Sequence, residues 1–274
     1  DLHSFPTRRS SDLQLGRKII IKIGSNVLST SEGRVNREIV ANIVNQVRCL
    51  MDRGKQVILV SSGAGIFGVG AIGKWSRRKD MNYKQALCAI GQVELMEAYK
   101  ELFASHEIFV AQMLLTREDF NNEDRTLHMR NTMFTLVDEG VVPIINENDT
   151  VSVDEIKIGD NDTLSALAAN LWNADALVIL SDIDGIFDKD PKAYKGVTLI
   201  QEVFDIDGLE EEIDIHGISS FGTGGIGTKI QAAKTAGDFG IATVLLNGKK
   251  KDVILKAADD EERGTVFLSK GDGR

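Results

Sequence analysis

The stretch Ile19-Ile-Ile-Lys-Ile-Gly24-Ser25 decides the fold, because an apolar run of strand length ends in a lysine, a glycine and a serine. A run this apolar is typical of a strand buried on both faces of a parallel sheet. A lysine inside it is costly unless its ammonium emerges at the carboxyl end of the strand, where open α/β sheets bind ligands. Lys22 is therefore a candidate ligand-binding residue, and a solvated lysine on an edge strand is the alternative.

Similar β-branched runs recur along the chain, and segments of helical period lie between most of them. Repetition of strand, helix and strand predicts parallel pairing, right-handed crossovers and helices on both faces of the sheet. The predicted fold class is α/β, a three-layer αβα sandwich around a mostly parallel central sheet. The predicted strands are Lys18–Ile23, Val57–Val60, Ile108–Leu114, Val141–Ile145, Ala176–Leu180 and Ile241–Leu246.

Four segments have a helical pattern. Asn36 is a candidate N-cap of the first of them, and Asn82 of the second, which runs to about Ser105. Two places break the alternation of strands and helices: Thr150–Ile158 predicts a hairpin, and Gly185–Asp207 predicts an irregular excursion. The first of the four predicted helices is Arg37–Arg53, and the last two are Glu123–Glu139 and Thr163–Asn173.

The composition excludes several classes of protein. Hydrophobic residues make up 42% and charged residues 27% of the 274, close to the globular average, so we do not expect a disordered chain. A formal net charge of −9 argues against a sequence-independent grip on nucleic acid. No run approaches the roughly 20 apolar residues of a membrane span. Cys49 and Cys88 lack metal-ligand spacing, which indicates a reduced, cytoplasmic protein.

Residues 1–13 match no periodic pattern and lack the apolar core of a secretory signal. They are similar to a translated adapter sequence, so we expect a non-native or disordered leader. The expected domain organisation is one domain over residues 14–274.

Polar side chains gather around two loop edges of an otherwise apolar region. This density of amides and carboxylates supplies both donors and acceptors, which suits a small zwitterion with an ammonium and carboxylates. The residues are Asn146, Asn148, Asp149, Asn161 and Asp162.

Two glycine-containing loops are candidate anion sites. Val60-Ser-Ser-Gly-Ala-Gly65 follows a strand and can hold a phosphate or carboxylate through its amides, although a plain turn is the alternative. Phe221-Gly-Thr-Gly-Gly-Ile-Gly-Thr-Lys229 leads into a helix that we place from Lys229 onward. Amides, a hydroxyl, a helix N-terminus and a lysine there suit the β- and γ-phosphates of a nucleotide, and a flexible loop is the alternative.

Ser181 and Asp182 follow the strand Ala176–Leu180, at its carboxyl end. Acidic residues there can bind ribose hydroxyls or magnesium-bound water. The four histidines have no metal-ligand spacing with one another or with cysteine, so the sequence predicts no direct metal site.

In order along the chain, six motifs resemble the glutamate 5-kinases of the amino acid kinase family, from about Arg17 to Leu268. The family phosphorylates the γ-carboxylate of L-glutamate with ATP and Mg²⁺, giving L-glutamyl 5-phosphate in the first step of proline biosynthesis. The motifs are Lys22-Ile-Gly-Ser25, Ser61-Ser-Gly-Ala64, Asn146-Glu-Asn-Asp149, Gly159-Asp-Asn-Asp162, Ser181-Asp-Ile-Asp-Gly185 and Gly222-Thr-Gly-Gly225 with Thr228-Lys229.

The resemblance implies a role for each matching residue. Lys22 and Lys229 match the lysines that contact the transferred phosphoryl group, and Asp162 matches the carboxylate that positions them. The glutamate-binding positions are matched by Ser62, Asp149 and Asn161. The ATP-binding positions are matched by Lys22, Ser181, Asp182, Thr223, Gly224, Gly225, Ile226, Gly227, Thr228 and Lys229.

The chain departs from the family pattern in ways that spare the charged contacts. Ile226-Gly-Thr stands where Met followed by Ala or Ser and Thr is common, and Phe187-Asp-Lys189 replaces Tyr-Thr-Ala. Many relatives carry a C-terminal PUA domain, and none is expected within this sequence. The resemblance also implies self-association into a dimer or tetramer, and feedback inhibition by proline.

Two other functions remain open on the sequence. A kinase for acetylglutamate, aspartate or UMP would share Lys22 and the nucleotide loop, although Asn146-Glu-Asn-Asp149 favours glutamate. A sensor that binds glutamate or proline without turnover would not need Lys22, Lys229 and Asp162 together.

Overall fold

The computed structural model describes residues 15–73, 80–152, 161–191, 193–212 and 225–268. The expected leader, most of the expected hairpin, and the candidate nucleotide-binding residues Thr223 and Gly224 lie outside these ranges.

The described strands form an eight-stranded mixed sheet and a separate two-stranded one. The order in the large sheet is β3-β4-β2-β1-β5-β9-β10-β8, and its pairs are parallel except that β10 runs antiparallel to β9. The small sheet pairs β6 with β7. The strands are β1 (Lys18–Ile23), β2 (Gln56–Ser61), β3 (Val110–Leu115), β4 (Val142–Glu147), β5 (Ala176–Ser181), β6 (Ile186–Phe187), β7 (Leu199–Ile200), β8 (Glu202–Val203), β9 (Ala242–Asn247) and β10 (Thr265–Phe267).

Helices cover both faces of the sheet, which confirms the three-layer αβα sandwich. The helices are α1 (Ser25–Leu28), α2 (Arg37–Asp52), α3 (Ala64–Ile72), α4 (Met81–Ala104), α5 (Arg117–Phe120), α6 (Glu123–Asp138), α7 (Asn161–Trp172), α8 (Ile206–Glu212), α9 (Ile226–Asp238) and α10 (Val253–Ala258). Within the described ranges, no helix is long and apolar enough to cross a membrane.

Strand alternation divides the core into two halves. Ile19, Ile21 and Ile23 of β1 pack with α2, α4 and α10, whereas Ile20 packs with α6, α7 and α9. Lys22 has the parity of Ile20. The sequence of one strand thus directs the lysine toward the α7 and α9 layer.

The predicted strands and helices are confirmed, with shifts of a few residues at their ends. Asn36 caps α2, since its side chain accepts a hydrogen bond from the Ile39 N–H at 3.2 Å. The Asn82 cap was wrong: Asp80 caps α4 by accepting from the Tyr83 N–H at 3.2 Å. Two capping residues stand two positions apart, and the helix starts at the earlier one.

Helix α3 was not predicted, and glycines explain both its absence from the prediction and its presence in the fold. Gly68 and Gly91 lie where α3 crosses α4, and a Cβ at Gly91 would be 1.8 Å from the Ala64 carbonyl oxygen. Only glycine permits so close an approach of two backbones. Packing against α4 therefore stabilises α3 as a helix, although the intrinsic helix propensity of its residues is low.

Candidate active site

The candidate residues meet at one edge of the sheet, because parallel strands end together. Lys22 is near the end of β1, Ser61 ends β2, Asn146 is near the end of β4, and Ser181 ends β5. The chain moves from β1 to β2 on one side and later to β5 on the other, so strand order reverses at β1. Open α/β sheets bind ligands in the crevice at such a reversal.

A buried carboxylate joins the two candidate phosphoryl-binding lysines. Lys22 Nζ lies 2.5 Å from Asp162 Oδ1, and Lys229 Nζ lies 3.1 Å from Asp162 Oδ2. Both lysines are 4% exposed and Asp162 is fully buried. Residues separated by 140 and 67 positions thus form one charged cluster, in which two ammonium groups contact one carboxylate.

The start of α9 completes this charged cluster. The helix begins at Ile226, three residues before the predicted start, so Gly227, Thr228 and Lys229 lie in its first turn. Gly225 is the N-cap and makes no side-chain capping bond. Thr228 Oγ1 donates to Asp162 Oδ2 at 2.9 Å. Helix N-terminal amides and two ammonium groups make this end of the site suitable for phosphate.

The half of the site that contains the candidate substrate-binding residues is called the acceptor half, after the molecule that would accept the phosphoryl group. It consists of neutral side chains joined by hydrogen bonds, called the relay. Asn161 Nδ2 donates to Ser62 Oγ at 2.9 Å, to the Ser61 carbonyl at 3.1 Å and to Asn146 Oδ1 at 2.8 Å. Asn146 Nδ2 in turn donates to Gln92 Oε1 at 2.7 Å. Asn161 is the neighbour of Asp162 at the start of α7, so the relay begins beside the charged cluster.

The loop after β4 borders the relay. Asn148 and Asp149 are half-buried and line a groove together with Gln92 and Glu147. Glu147 accepts a hydrogen bond from Ser152 Oγ at 2.6 Å, which folds the loop back on its strand. The structure therefore brings the candidate substrate-binding residues Ser62, Asp149 and Asn161 to the same side of the edge as the relay.

Ser181 and Asp182 follow β5 on the other side of β1. Ser181 is buried and its carbonyl accepts from the Gly248 N–H at 2.8 Å. Asp182 is exposed and accepts a hydrogen bond from Asn26 Nδ2 at 3.1 Å. These residues border the crevice from the β5 and β9 side, opposite to the acceptor relay.

Comparison with known proteins decides the family. The sequence profile described as the Amino acid kinase family matches residues 17–247. The chain belongs to the amino acid kinase family. That membership confirms the resemblance seen in the sequence.

Relatives within the family are similar over nearly the whole chain. It is 57% identical to the glutamate 5-kinase of Alkaliphilus metalliredigens (strain QYMF), covering 92% of this chain and 95% of that one. It is 54% identical to the glutamate 5-kinase of Alkaliphilus oremlandii (strain OhILAs), covering 93% and 97%. The glutamate 5-kinase of Geobacter metallireducens is 48% identical, over 95% of this chain and 70% of that protein.

Solved structures support the same fold. The UMP kinase from Bacillus anthracis superposes with a TM-score of 0.66 at 17% identity, covering 93% of this chain and 97% of that one. An isopentenyl phosphate kinase gives 0.64 at 18% identity, covering 92% and 100%. At these identities the likeness concerns the amino acid kinase fold alone.

Sequence reasoning missed the part of this amino acid kinase site that α4 supplies. Gln85, Gln92 and Tyr99 are spaced seven residues apart, so they share one face of the helix. Gln85 Nε2 donates to the Ser152 carbonyl at 3.0 Å, and Tyr99 Oη lies 3.0 Å from Ser61 Oγ. Each polar residue therefore fixes a different segment of the acceptor half. Polar residues at this spacing in an otherwise buried face were the available signal.

Tyr99 is fully buried, and burial raises the pKa of its hydroxyl, while the hydrogen bond with Ser61 offsets part of the increase. The hydroxyl therefore stays protonated at physiological pH. It serves as a neutral hydrogen-bonding group beneath the site.

Proposed function

We propose that the chain uses ATP to phosphorylate the γ-carboxylate of L-glutamate, giving L-glutamyl 5-phosphate, the first step of proline biosynthesis. Relatives named glutamate 5-kinase share up to 57% of its residues over nearly their full length. The single structural observation that supports the chemistry is the Lys22, Asp162 and Lys229 cluster beside the amide relay.

In this reaction a γ-carboxylate oxygen attacks the γ-phosphorus of ATP, and the bond from that phosphorus to the β-bridging oxygen breaks to release ADP. The attacking carboxylate is already ionised at neutral pH, so no general base is needed. Catalysis then depends on alignment and on positive charge near the transferred group. Lys22 and Lys229 supply that charge, and Asp162 holds both ammonium groups in place.

The acceptor is held by Ser62, Asp149 and Asn161. Asn161 is fixed by its contacts with Ser61, Ser62 and Asn146, so its position does not depend on the substrate. A pre-positioned amide lowers the cost of ordering the site on binding. Asp149 carries a charge that complements the ammonium of an amino acid.

ATP is held from the other side of β1. Lys22, Ser181, Asp182 and the segment from Thr223 to Lys229 are the proposed ATP-binding residues, and the first turn of α9 suits the phosphates. Among the described residues, no group of three or more His, Cys, Asp or Glu could hold a metal ion. We propose that Mg²⁺ is held mainly by the ATP phosphates, whose charge it offsets when bound.

Three further properties belong to the proposal. Self-association as a dimer or tetramer and feedback inhibition by proline are expected of the glutamate 5-kinases. A cytoplasmic location is the third, as expected for a chain whose two cysteines form no disulfide framework.

A coupled ADP-release assay with L-glutamate and Mg-ATP tests this proposal, and a hydroxylamine trap identifies an acyl phosphate product as the hydroxamate. Acetylglutamate, aspartate and UMP are the competing acceptors. Turnover with one of these and none with L-glutamate would overturn the assigned substrate. Glutamate binding without ADP release, unchanged in Lys229→Ala, would identify a sensor instead.

A further inference from the structure

The amide relay has a fixed direction, because one of its contacts is a backbone group. The Glu147 N–H can only donate, so the Asn146 atom that it meets at 2.8 Å is the carbonyl oxygen Oδ1. Asn146 Nδ2 therefore faces Gln92, and the Gln92 atom that it meets at 2.7 Å is Oε1. The other terminal atom of Gln92, Nε2, is consequently a hydrogen-bond donor.

This donor is buried without a protein partner. Gln92 is 8% exposed, and Nε2 has no hydrogen-bond partner within the described part of the chain. At the opposite end of the relay, Asn161 is 9% exposed and its Oδ1 likewise lacks a partner among the described residues. Unpaired buried polar atoms are rare and costly, so each calls for a ligand or another explanation.

The position of Gln92 indicates which part of a ligand it would meet. Gln92 lines the groove that Asn148 and Asp149 also line, so its side chain borders the space beside the candidate substrate-binding residue Asp149. Asn161 adjoins Asp162 and the two lysines, whereas Gln92 is two amide contacts further along the relay. Gln92 therefore lies at the end of the acceptor site that is remote from phosphoryl transfer.

We propose that Gln92 is an acceptor-binding residue whose Nε2 donates a hydrogen bond to the α-carboxylate of the amino-acid substrate. This inference rests on the proposed function, which places the γ-carboxylate beside Lys22 and Lys229 and leaves the α-carboxylate at the remote end. A neutral amide suits this task, since a lysine or arginine there would also attract the phosphates of ATP into the acceptor half.

The substitution Gln92→Glu separates contact with substrate from positioning of Asn146. The new carboxylate keeps an acceptor oxygen for Asn146 Nδ2 but replaces the donor with a second oxygen. We expect the KM for L-glutamate to rise roughly 10- to 100-fold, the loss typical of a hydrogen bond to a charged group, with repulsion added. The kcat and the KM for ATP should stay near wild type. Assays at pH 8.5 keep the new carboxyl ionised.

The α-amide of L-glutamate is the matched ligand, used as a substrate or as a competitive inhibitor. Its N–H groups can donate to the new carboxylate, so Gln92→Glu should leave its affinity unchanged or improve it. Equal losses for glutamate and for its α-amide would mean that Gln92 acts only through Asn146, and would overturn the proposed contact.

Gln46→Glu is the matched control, because Gln46 is 1% exposed and its Oε1 accepts from the Ile254 N–H of α10 at 2.8 Å, a contact that does not involve the relay. It should lower the melting temperature without changing the KM for glutamate. If Gln92→Glu does not fold, Gln92→Met removes the donor without adding charge and should also raise that KM. A folded variant of either kind with wild-type KM overturns the inference. If the wild type does not phosphorylate L-glutamate, the proposed function is wrong. If the wild type is active and the variants keep the wild-type KM, only the inference about Gln92 is wrong.

Discussion

The two ends of the site both bury polar side chains, but one end buries charged groups and the other buries neutral amides. At the phosphoryl end, Lys22, Asp162 and Lys229 bury full charges against one another. At the acceptor end, Gln92 and Asn146 bury neutral amides that hydrogen-bond in sequence. Both sets are more than nine-tenths buried, so the difference is one of charge and not of solvent access.

Strand alternation produces this division. Lys22 shares the face of Ile20, which packs with α7 and α9, whereas Ser61 has the parity of Leu59, which packs with α4. On the proposed function, charge is concentrated where the phosphoryl group would pass, and amides lie where the amino-acid substrate would be recognised. The comparison implies that changes at the charged end alter turnover, whereas changes at the amide end alter acceptor affinity.

The largest expected effect is that of Asp162→Asn, which leaves two buried ammonium groups without their shared carboxylate. Removing one partner of a buried ion pair typically costs about 3–5 kcal/mol of stability. We expect a loss of that size in the free energy of unfolding, measured by denaturant titration, together with loss of turnover. Asp207→Asn is the control, because Asp207 pairs with Lys234 at the surface and should contribute less than about 1 kcal/mol. Equal losses would mean that burial of the cluster is unimportant.

Lys229→Met should affect turnover more than stability, since Asp162 keeps Lys22 as a partner. Losing one preorganised electrostatic contact with the transferred group reduces kcat by roughly 10²- to 10³-fold. The KM for glutamate should change little in the same steady-state assays. Lys234→Met, on the same helix, should leave kcat within about twofold of wild type because the Lys234 ammonium contacts Asp207. A raised KM with unchanged kcat would assign Lys229 to the acceptor end.

Gly91→Ala tests whether the amide end depends on the position of α4. The added Cβ would lie 1.8 Å from the Ala64 carbonyl oxygen and 2.4 Å from the Gly68 nitrogen, so the helices must separate. Overpacking of this kind typically costs about 1–3 kcal/mol. We expect a lower melting temperature and a raised KM for glutamate, with kcat less affected.

Gly237→Ala is the matched control within α9, where the added Cβ would meet, among the described residues, only Ile206 Cδ1 at 4.0 Å. It should be neutral or slightly stabilising, because alanine favours helix over glycine. A destabilisation equal to that of Gly91→Ala would rule out the α3 and α4 crossing as its cause.

The sequence predicted the sheet well because its signal is local. Each buried strand is an apolar run bounded by turn residues, as in Lys18–Ile23 and Ala176–Ser181. Helix α3 escaped prediction because Gly65, Gly68 and Gly70 lower helix propensity, and the reason for them lies in neighbouring segments. The short antiparallel β10 was missed for a related reason, since its three residues depend on pairing with β9.

Residues at the charged end of the site were easier to predict from the sequence than residues at the amide end. Lys22 and Lys229 stand beside glycines at the ends of elements, a local pattern that indicates an anion site. Gln92 and Tyr99 lie inside a long helix with no such neighbours, and their role depends on contacts with Asn146 and Ser61. Long-range partners of this kind follow from topology and cannot be derived from local patterns.

Tyr99→Phe should have a modest effect, because it removes one neutral hydrogen bond beneath the amide end. The Ser61 hydroxyl would lose its buried partner, at a cost of about 1 kcal/mol in the free energy of unfolding. A double-mutant cycle with Ser61→Ala measures the coupling, and the double variant should lose less than the sum of the single variants. Strict additivity would mean that the two hydroxyls do not stabilise each other.

Lys250→Ala gives the smallest expected effect and extends the comparison to ion pairs that are exposed to solvent. Hydrogen bonds from Lys250 and Asn247 lower the pKa of Asp184, so this contact stabilises the fold above the carboxyl's ordinary pKa and is lost as pH falls through the lowered value. Lys250 also pairs with Glu262, and all three side chains are at least a quarter exposed, so the contribution near pH 7 should be about 1 kcal/mol or less. Melting temperatures of wild type and Lys250→Ala should differ between pH 5 and 8 and converge only when the pH falls below the lowered pKa of Asp184. Lys249→Ala removes the adjacent ammonium but leaves the Asp184 contact in place, and should show no such pH dependence. If Lys250→Ala destabilised the protein as much as Asp162→Asn, burial would not determine how strongly an ion pair stabilises this fold.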